Sequence, residues 1–322
     1  MLLLLLIACL DPDAPIAADD TESFVFEVPK GSTASGLAPA LQEAGLLPSG
    51  LLPPDLQWKL FLRQRDASCL KAGSFEVSRQ LSLNELVDAL CGAPLADDVA
   101  FTVVEGWRIR EIDAALTAAG LIQAGEYATL ARSKKVDAPF TIESPTLEGY
   151  LYPETYMVSP GRFTAKAFIE RQLGTFQERF LGKHEQGFGE RSLHDVVVMG
   201  SMLEREEPKP AERPLVAGIL WKRIDNGWQL GVDATSRYTL DDWNDRKAFL
   251  KKLRDPGDEY NTRIHKGLPP TAIGNPSTES LEAAISPVPS EFWYYLHDAQ
   301  QNLHPARNAD EHEANRRKYN VY

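Results

Sequence analysis

LHDVVVMGSMLEREEP, Leu193 to Pro208, runs an apolar stretch straight into three glutamates and then a proline. Val196, Val197, Val198 and Met199 would fall on every side of a helix, so the segment reads as a buried helix. Pro208 limits how far that helix continues. Glu204 then lies in its last turns. There burial, the negative end of the helix dipole, and like charge on Glu206 and Glu207 each disfavour an ionised carboxyl. A carboxyl that keeps its proton near neutral pH is what general acid catalysis requires. The plainer reading is a solvated glutamate at a helix end.

The chain has 322 residues, 43% of them hydrophobic and 25% charged, which suits a folded protein with more than one core. Its net charge is −12 and it has no basic stripe, so a nucleic-acid partner is not expected. No His or Cys cluster has zinc spacing, HExxH is absent, and neither metal nor cofactor is expected. Met1 is followed by nine apolar residues, LLLLLIACL, five of them consecutive leucines. A membrane span needs about 20 residues, and a signal peptide usually opens on positive charge. The segment therefore reads as the remnant of a longer anchor or as a lipidation box ending on Cys9, against the alternative of a disordered start. Cys69 and Cys91 remain, and export would permit a disulfide between them; two unpaired buried thiols are the alternative.

Residues 11–22 are acidic and proline-containing, as linkers are. FVFEVPKGSTASGLAPALQEAGL then gives a strand, a Lys-Gly turn and a helix pattern closed by AGL. VAFTVVEGWRIREIDAALTAAGL repeats that order about 77 residues later. Between the two, SFEVS reads as a strand and SLNELVDAL as a capped amphipathic helix. The expected organisation is α+β: an apolar anchor segment (1–10), a linker (11–22), a small module (23–96) and a larger mixed α/β domain (97–322). Helices are expected over about 163–180, in PLVAGILWKRIDNG, in SLEAAISP and at the charged C-terminus, with a strand in FWYYLHD. GVDATSRY and EYNTRIHKGLPPTAIGNPS read as loops. Tyr150, Tyr152, Tyr156, Trp228 and Trp243 offer flat faces of the kind that sugar rings stack on, unless they are core residues.

The ordered motifs EGYLYPETY, SMLERE, VAGILWKRI…GVDATSRY, YNT…GLPPTAIGNPS and a final strand with His304 together resemble the MltG (YceG-like) family of endolytic murein transglycosylases. The resemblance covers roughly residues 24–316. It implies a single-pass inner-membrane protein whose bulk is periplasmic, with a LysM-like module at 23–96 and a catalytic domain at 97–322. It also implies lytic cleavage of peptidoglycan glycan strands between N-acetylmuramic acid and N-acetylglucosamine. The new ends would be 1,6-anhydromuramyl groups, formed to terminate growing strands, with peptidoglycan synthases as candidate partners. The family's catalytic glutamate falls on Glu204. Matching motif positions, as candidate substrate-binding residues, are Glu148, Tyr152, Thr155, Tyr156, Ser201, Glu206, Asp233, Tyr238, Tyr260, Asn261, Thr262, Asn275 and His304. The chain departs from the family pattern at Gly231, Ala234 and Ala306, and in the spacing to His312; none of these touches Glu204.

One carboxyl suffices for this chemistry. Glu204 would protonate the glycosidic oxygen as the bond breaks, then accept the proton of the muramic C6 hydroxyl as that oxygen attacks C1. A hydrolase would need a second carboxylate for water or for covalent attack; here the tethered hydroxyl replaces it. Three other readings are a glycan-binding or scaffold protein that does not cut, a hydrolase pairing Glu204 with Asp233 or Glu148, and a metal enzyme using His265, His304 and His312.

Overall fold

The structure is a computed structural model that describes residues 11–29, 31–48, 52–95 and 98–321. The apolar segment at 1–10, and with it Cys9, lies outside the described residues. The chain divides into two compact units. One is the chain up to Val99 together with Val158–Arg162; the other is Ala100–Met157 and Phe163 onward. The architecture is α+β, with twelve α-helices and three two-stranded sheets among the described residues.

In the first unit, β1 (Ser23–Val28) pairs antiparallel with β2 (Gly73–Ser78), with Phe26 opposite Phe75. Alternation places Phe26 and Val28 inward. Helices α1 (Ala38–Glu43) and α2 (Pro54–Phe61) lie between the two strands in sequence, and α3 (Leu83–Cys91) follows them. Leu41, Leu46, Trp58, Leu86 and Leu90 are fully buried in one cluster. Helix α3 starts on a reciprocal cap. Glu85 N donates to Ser82 Oγ at 3.2 Å and Ser82 N to Glu85 Oε2 at 2.8 Å. A disulfide joins Cys69 to Cys91, which closes the choice that the sequence left open.

The second unit begins with the same order of elements. Strand β3 (Val99–Thr102) leads into α4 (Ile109–Ala118) and α5 (Glu126–Ser133), and β4 (Thr155–Val158) returns to pair with β3. The repeated AGL has a physical basis. Gly45 and Gly120 both take positive φ, at 68° and 72°. Leu46 N then donates to Leu41 O at 2.8 Å, and Leu121 N to Leu116 O at 3.0 Å. Both helices thus end in the same Schellman closure, which glycine makes cheap.

Helices α6 (Ala165–Arg179), α7 (Leu193–Glu206) and α8 (Arg213–Asp225) follow. Residues 196–203 of α7 are all buried, as the all-round apolar run requires. DATSRY, expected as loop, is helix α9 (Asp233–Tyr238), and α10 (Arg246–Lys252) was also unforeseen. Six residues with a Thr-Ser pair carry too little periodicity to announce a helix. Helix α11 (Thr278–Ile285) packs along α7; a Cβ on Gly200 would stand 3.1 Å from Leu281 Cδ2, so the two helices approach closely. The hairpin of β5 (Tyr294–His297) and β6 (Leu303–Ala306) and helix α12 (Ala309–Lys318) complete the unit. Tyr150, Tyr152 and Tyr156 belong to the core, packed on Phe176 and Phe168, and so offer no open face to a sugar.

Candidate active site

Glu204 sits in the last turn of α7, with only 10% of its side chain exposed. Its neighbours are not the ones that the sequence suggested. Arg213, at the start of α8, grips it with both terminal nitrogens. Nη2 donates to Oε1 at 3.0 Å, and Nη1 lies 3.3 Å from Oε2. Ser277, the N-cap of α11, donates twice to Oε2, from N at 2.9 Å and from Oγ at 2.5 Å. Arg213 Nη1 also donates to Ser277 Oγ at 2.9 Å. A guanidinium and a helix N-terminus therefore fix the orientation of both carboxyl oxygens.

Glu206 and Glu207 do not crowd it. Glu206 is two residues on, about 200° around the helix. It accepts from Ala234 N at 3.4 Å and from Tyr295 OH at 3.3 Å. Burial raises its pKa above the usual carboxylate range, and the nearby Asp233 carboxylate adds to the rise. Glu207 is fully buried and is bonded by His297 Nε2 at 2.8 Å.

Gly106 and Arg205 lie beside Glu204. A Cβ on Gly106 would stand 3.5 Å from Glu204 Cγ and 3.4 Å from Arg205 Nε, and φ there is +74°. Those are ordinary contact distances, so it is the left-handed backbone of the Glu-Gly turn that calls for glycine here. The Arg205 guanidinium lies over Trp243, 4.3 Å from the ring centroid.

Asn275 fixes this turn against the loop before α11. Gly106 N donates to Asn275 O at 2.7 Å, and Asn275 N donates to Trp107 O at 2.9 Å. Its side-chain Oδ1 accepts from Gly149 N and Leu151 N, both at 3.0 Å. Beside it, Glu148 accepts from Ile109 N at 3.0 Å and from Tyr238 OH at 3.0 Å. Burial pushes the Glu148 carboxyl up to about 8, against the lowering effect of those two donors. Ser201 Oγ accepts from Ile273 N at 3.0 Å and so ties α7 to the same loop.

Burial divides the motif residues in two. Glu148, Tyr156, Ser201, Asn261, Thr262 and Asn275 are no more than 2% exposed, and Tyr152 is 9% exposed with its hydroxyl on Thr278 Oγ1 at 2.5 Å. These side chains hold loops together instead of lining a cleft, because their polar atoms are spent on backbone and on each other. Asn261 receives Arg263 N and donates to Lys252 O, and Thr262 Oγ1 receives Val232 N. Tyr238 and Tyr260 are partly exposed and packed ring on ring, with centroids 4.8 Å apart. Thr155 is exposed on β4 and shares a hydrogen bond with Thr102 at 2.8 Å. Asp233 is bonded by Arg263 on the Glu206 side of α7. His304 stacks on Tyr319 and bonds Asp298 at 2.9 Å within its own hairpin. Arg213, Ser277, Gly106 and Arg205 were not singled out from the sequence. Ser277 had a signal, since GNPS precedes a helix pattern as an N-cap does.

With this geometry in place, the comparisons with known proteins can be read. The model of the YceG-like family matches residues 26–318. The chain belongs to the YceG-like family. An endolytic murein transglycosylase of Bacillus subtilis (strain 168) is 24% identical over 322 residues, covering 95% of this chain and 87% of that one. Another, from Streptococcus pneumoniae serotype 2, is 22% identical over 337 residues; the match covers 95% of this chain and 60% of that longer protein. The crystal structure of a putative yceG-like protein, lmo1499, from Listeria monocytogenes superposes with a TM-score of 0.59 at 22% identity. That match covers 91% of this chain and 99% of the other, so the family fold is shared.

Proposed function

We propose that the chain is an endolytic peptidoglycan transglycosylase in which Glu204 is the single acid and base. The observation that carries this reading is a nearly buried carboxyl beside the Gly106 turn, oriented through both oxygens by Arg213 and Ser277. Membership in the family and the names of its relatives support the substrate class. Glu204 delivers its proton to the glycosidic oxygen as the bond from muramic C1 breaks. Arg213 and Ser277 then stabilise the carboxylate left behind. That carboxylate takes the proton of the C6 hydroxyl as its oxygen closes on C1, giving a 1,6-anhydro end and restoring the acid. No water is consumed.

Neither of the two carboxyls offered as hydrolase partners suits the role. Glu148 is 2% exposed and carries its proton at neutral pH, as its carboxyl is pushed to about 8. Asp233 is paired with Arg263 in a different pocket. Mass spectrometry of glycan strands incubated with the wild type and with Glu204→Gln decides between the readings. Anhydro ends from the wild type, reduced about a thousandfold in the variant, are the expected result. Reducing-end muramic acid would identify a hydrolase.

Three finer assignments belong to the same reading. Residues 23–96 act as a LysM-like glycan module, supported by the strand–helix–helix–strand order around the β1–β2 pair. The bulk of the chain works outside the cytoplasm, supported by the Cys69–Cys91 disulfide. A single-pass inner-membrane anchor precedes residue 11, and peptidoglycan synthases are the partners. No helix among the described residues is long and apolar enough to cross a membrane.

A further inference from the structure

Glu204 and Glu206 project from α7 in nearly opposite directions, and the mechanism uses only the first. The second opens into a cavity of about 520 Å³, within the range of small-ligand sites. Its walls come from α7, α8, α9, the β5–β6 hairpin and α12.

The charged side chains of this cavity are already engaged. Arg263 is held by Asp233 at 2.8 Å, and Arg223 by the carbonyls of Trp293 and Leu230. Arg316 is on Glu313 at 3.2 Å, and His297 on Glu207. Each of these cations therefore already has a partner among the described residues, Arg223 having neutral carbonyls alone. The neutral groups are the unmatched ones. The Trp228 indole N–H, the Gln229 amide and the Tyr294 hydroxyl line the cavity with no hydrogen-bond partner among the described residues. His312 also lines it, stacked on Tyr294, with a buried Nδ1 that has no partner among the described residues. Trp228 is 40% exposed, and Trp293 packs against it at a centroid distance of 4.5 Å.

A supported indole face surrounded by neutral donors and acceptors suits a pyranose ring with hydroxyl and acetamido groups. We propose that this cavity is a second saccharide-binding site, built around Trp228, Gln229 and Tyr294, that takes an N-acetylhexosamine unit. It sits across the C-terminal end of α7 from Glu204, so a polymer crossing that end would meet both. The identity of the sugar polymer rests on the proposed function; the cavity itself does not.

The test uses the full chain carrying Glu204→Gln, so that nothing is cut, and a β-1,4-linked N-acetylglucosamine tetramer as probe. Saturation-transfer NMR and calorimetry measure its binding. Trp228→Ala on this background is expected to weaken binding about tenfold or more, with Trp228→Phe restoring most of it. Tyr294→Phe removes one hydroxyl and is expected to weaken binding less. Circular dichroism checks that each variant is folded. Equal affinity in the Trp228→Ala protein overturns the proposal, as does absence of binding by the parent. Anhydro-end formation by the wild type is scored separately. Trp228-dependent binding without cleavage would keep the site and overturn the transglycosylase reading. Cleavage with Trp228-independent binding would do the reverse.

Discussion

Arg213 is the residue on which the candidate site turns. It is 5% exposed, and its terminal nitrogens are shared between Glu204 and Ser277 while Nε donates to Glu207 O at 3.0 Å. Removing one partner of a buried pair leaves the other charge uncompensated. Arg213→Ala is therefore expected to cost about 3 kcal/mol of stability, read by urea denaturation. Arg213→Lys keeps the charge but loses the fork. Turnover is expected to fall about a hundredfold in Arg213→Lys with KM little changed, because orientation of the acid is lost and substrate contact is not. Glu148 makes a different prediction. Its folded pKa, about 8, lies above the unfolded value of 4.5. Between those values the native state holds a proton that the unfolded chain has released, so stability falls as pH rises through that window. Glu148→Gln cannot ionise, so its stability is expected to fall less between pH 5 and pH 8 than that of the wild type.

At the scale of elements, the two Schellman closures differ in what surrounds them. A Cβ on Gly120 would meet nothing within 4 Å, whereas one on Gly45 would stand 2.9 Å from Arg79 Nε. That guanidinium donates to Ala44 O at 3.0 Å and to Asp20 at 2.8 Å. Gly120→Ala is expected to cost about 1 kcal/mol, from the left-handed backbone alone. Gly45→Ala is expected to cost more, because Arg79 must also move; thermal melts of the two variants give the order. The Cys69–Cys91 bridge spans a sequence separation of 22. Opening it with paired serines is expected to cost about 3 kcal/mol by the loop-entropy model, with reductant reproducing the loss in the wild type.

For the whole molecule, the local signals were the readable ones. The alternation of FVFEV, the Ser82 cap and the apolar run before Glu204 announced β1, α3 and α7, because each is set by neighbours in sequence. The repeated strand–turn–helix order was also visible, and AGL marked where two helices end. Glu204 itself stood out as a carboxyl that closes a buried helix. What the sequence hid was the company that carboxyl keeps. Arg213 reaches it across nine positions and Ser277 across 73, and no spacing rule relates such residues. Tyr150 and Tyr156 looked like stacking surfaces because composition cannot tell a ring in a cleft from a ring against Phe176 or Phe168. Asn275 and Glu148 looked like ligands because a polar residue in a motif gives no sign of being spent on backbone.

Asn275 also joins folding to function. It binds Trp107 and Gly149, separated from it by 168 and 126 positions, and it stands two residues from the serine that orients the acid. Each such contact closes a large loop, whose entropic cost rises slowly with its length. A chain with α7 formed but this junction open would hold Glu204 without Ser277 or the glycine turn. Completion of the candidate site therefore depends on a junction that no single element builds from its own sequence.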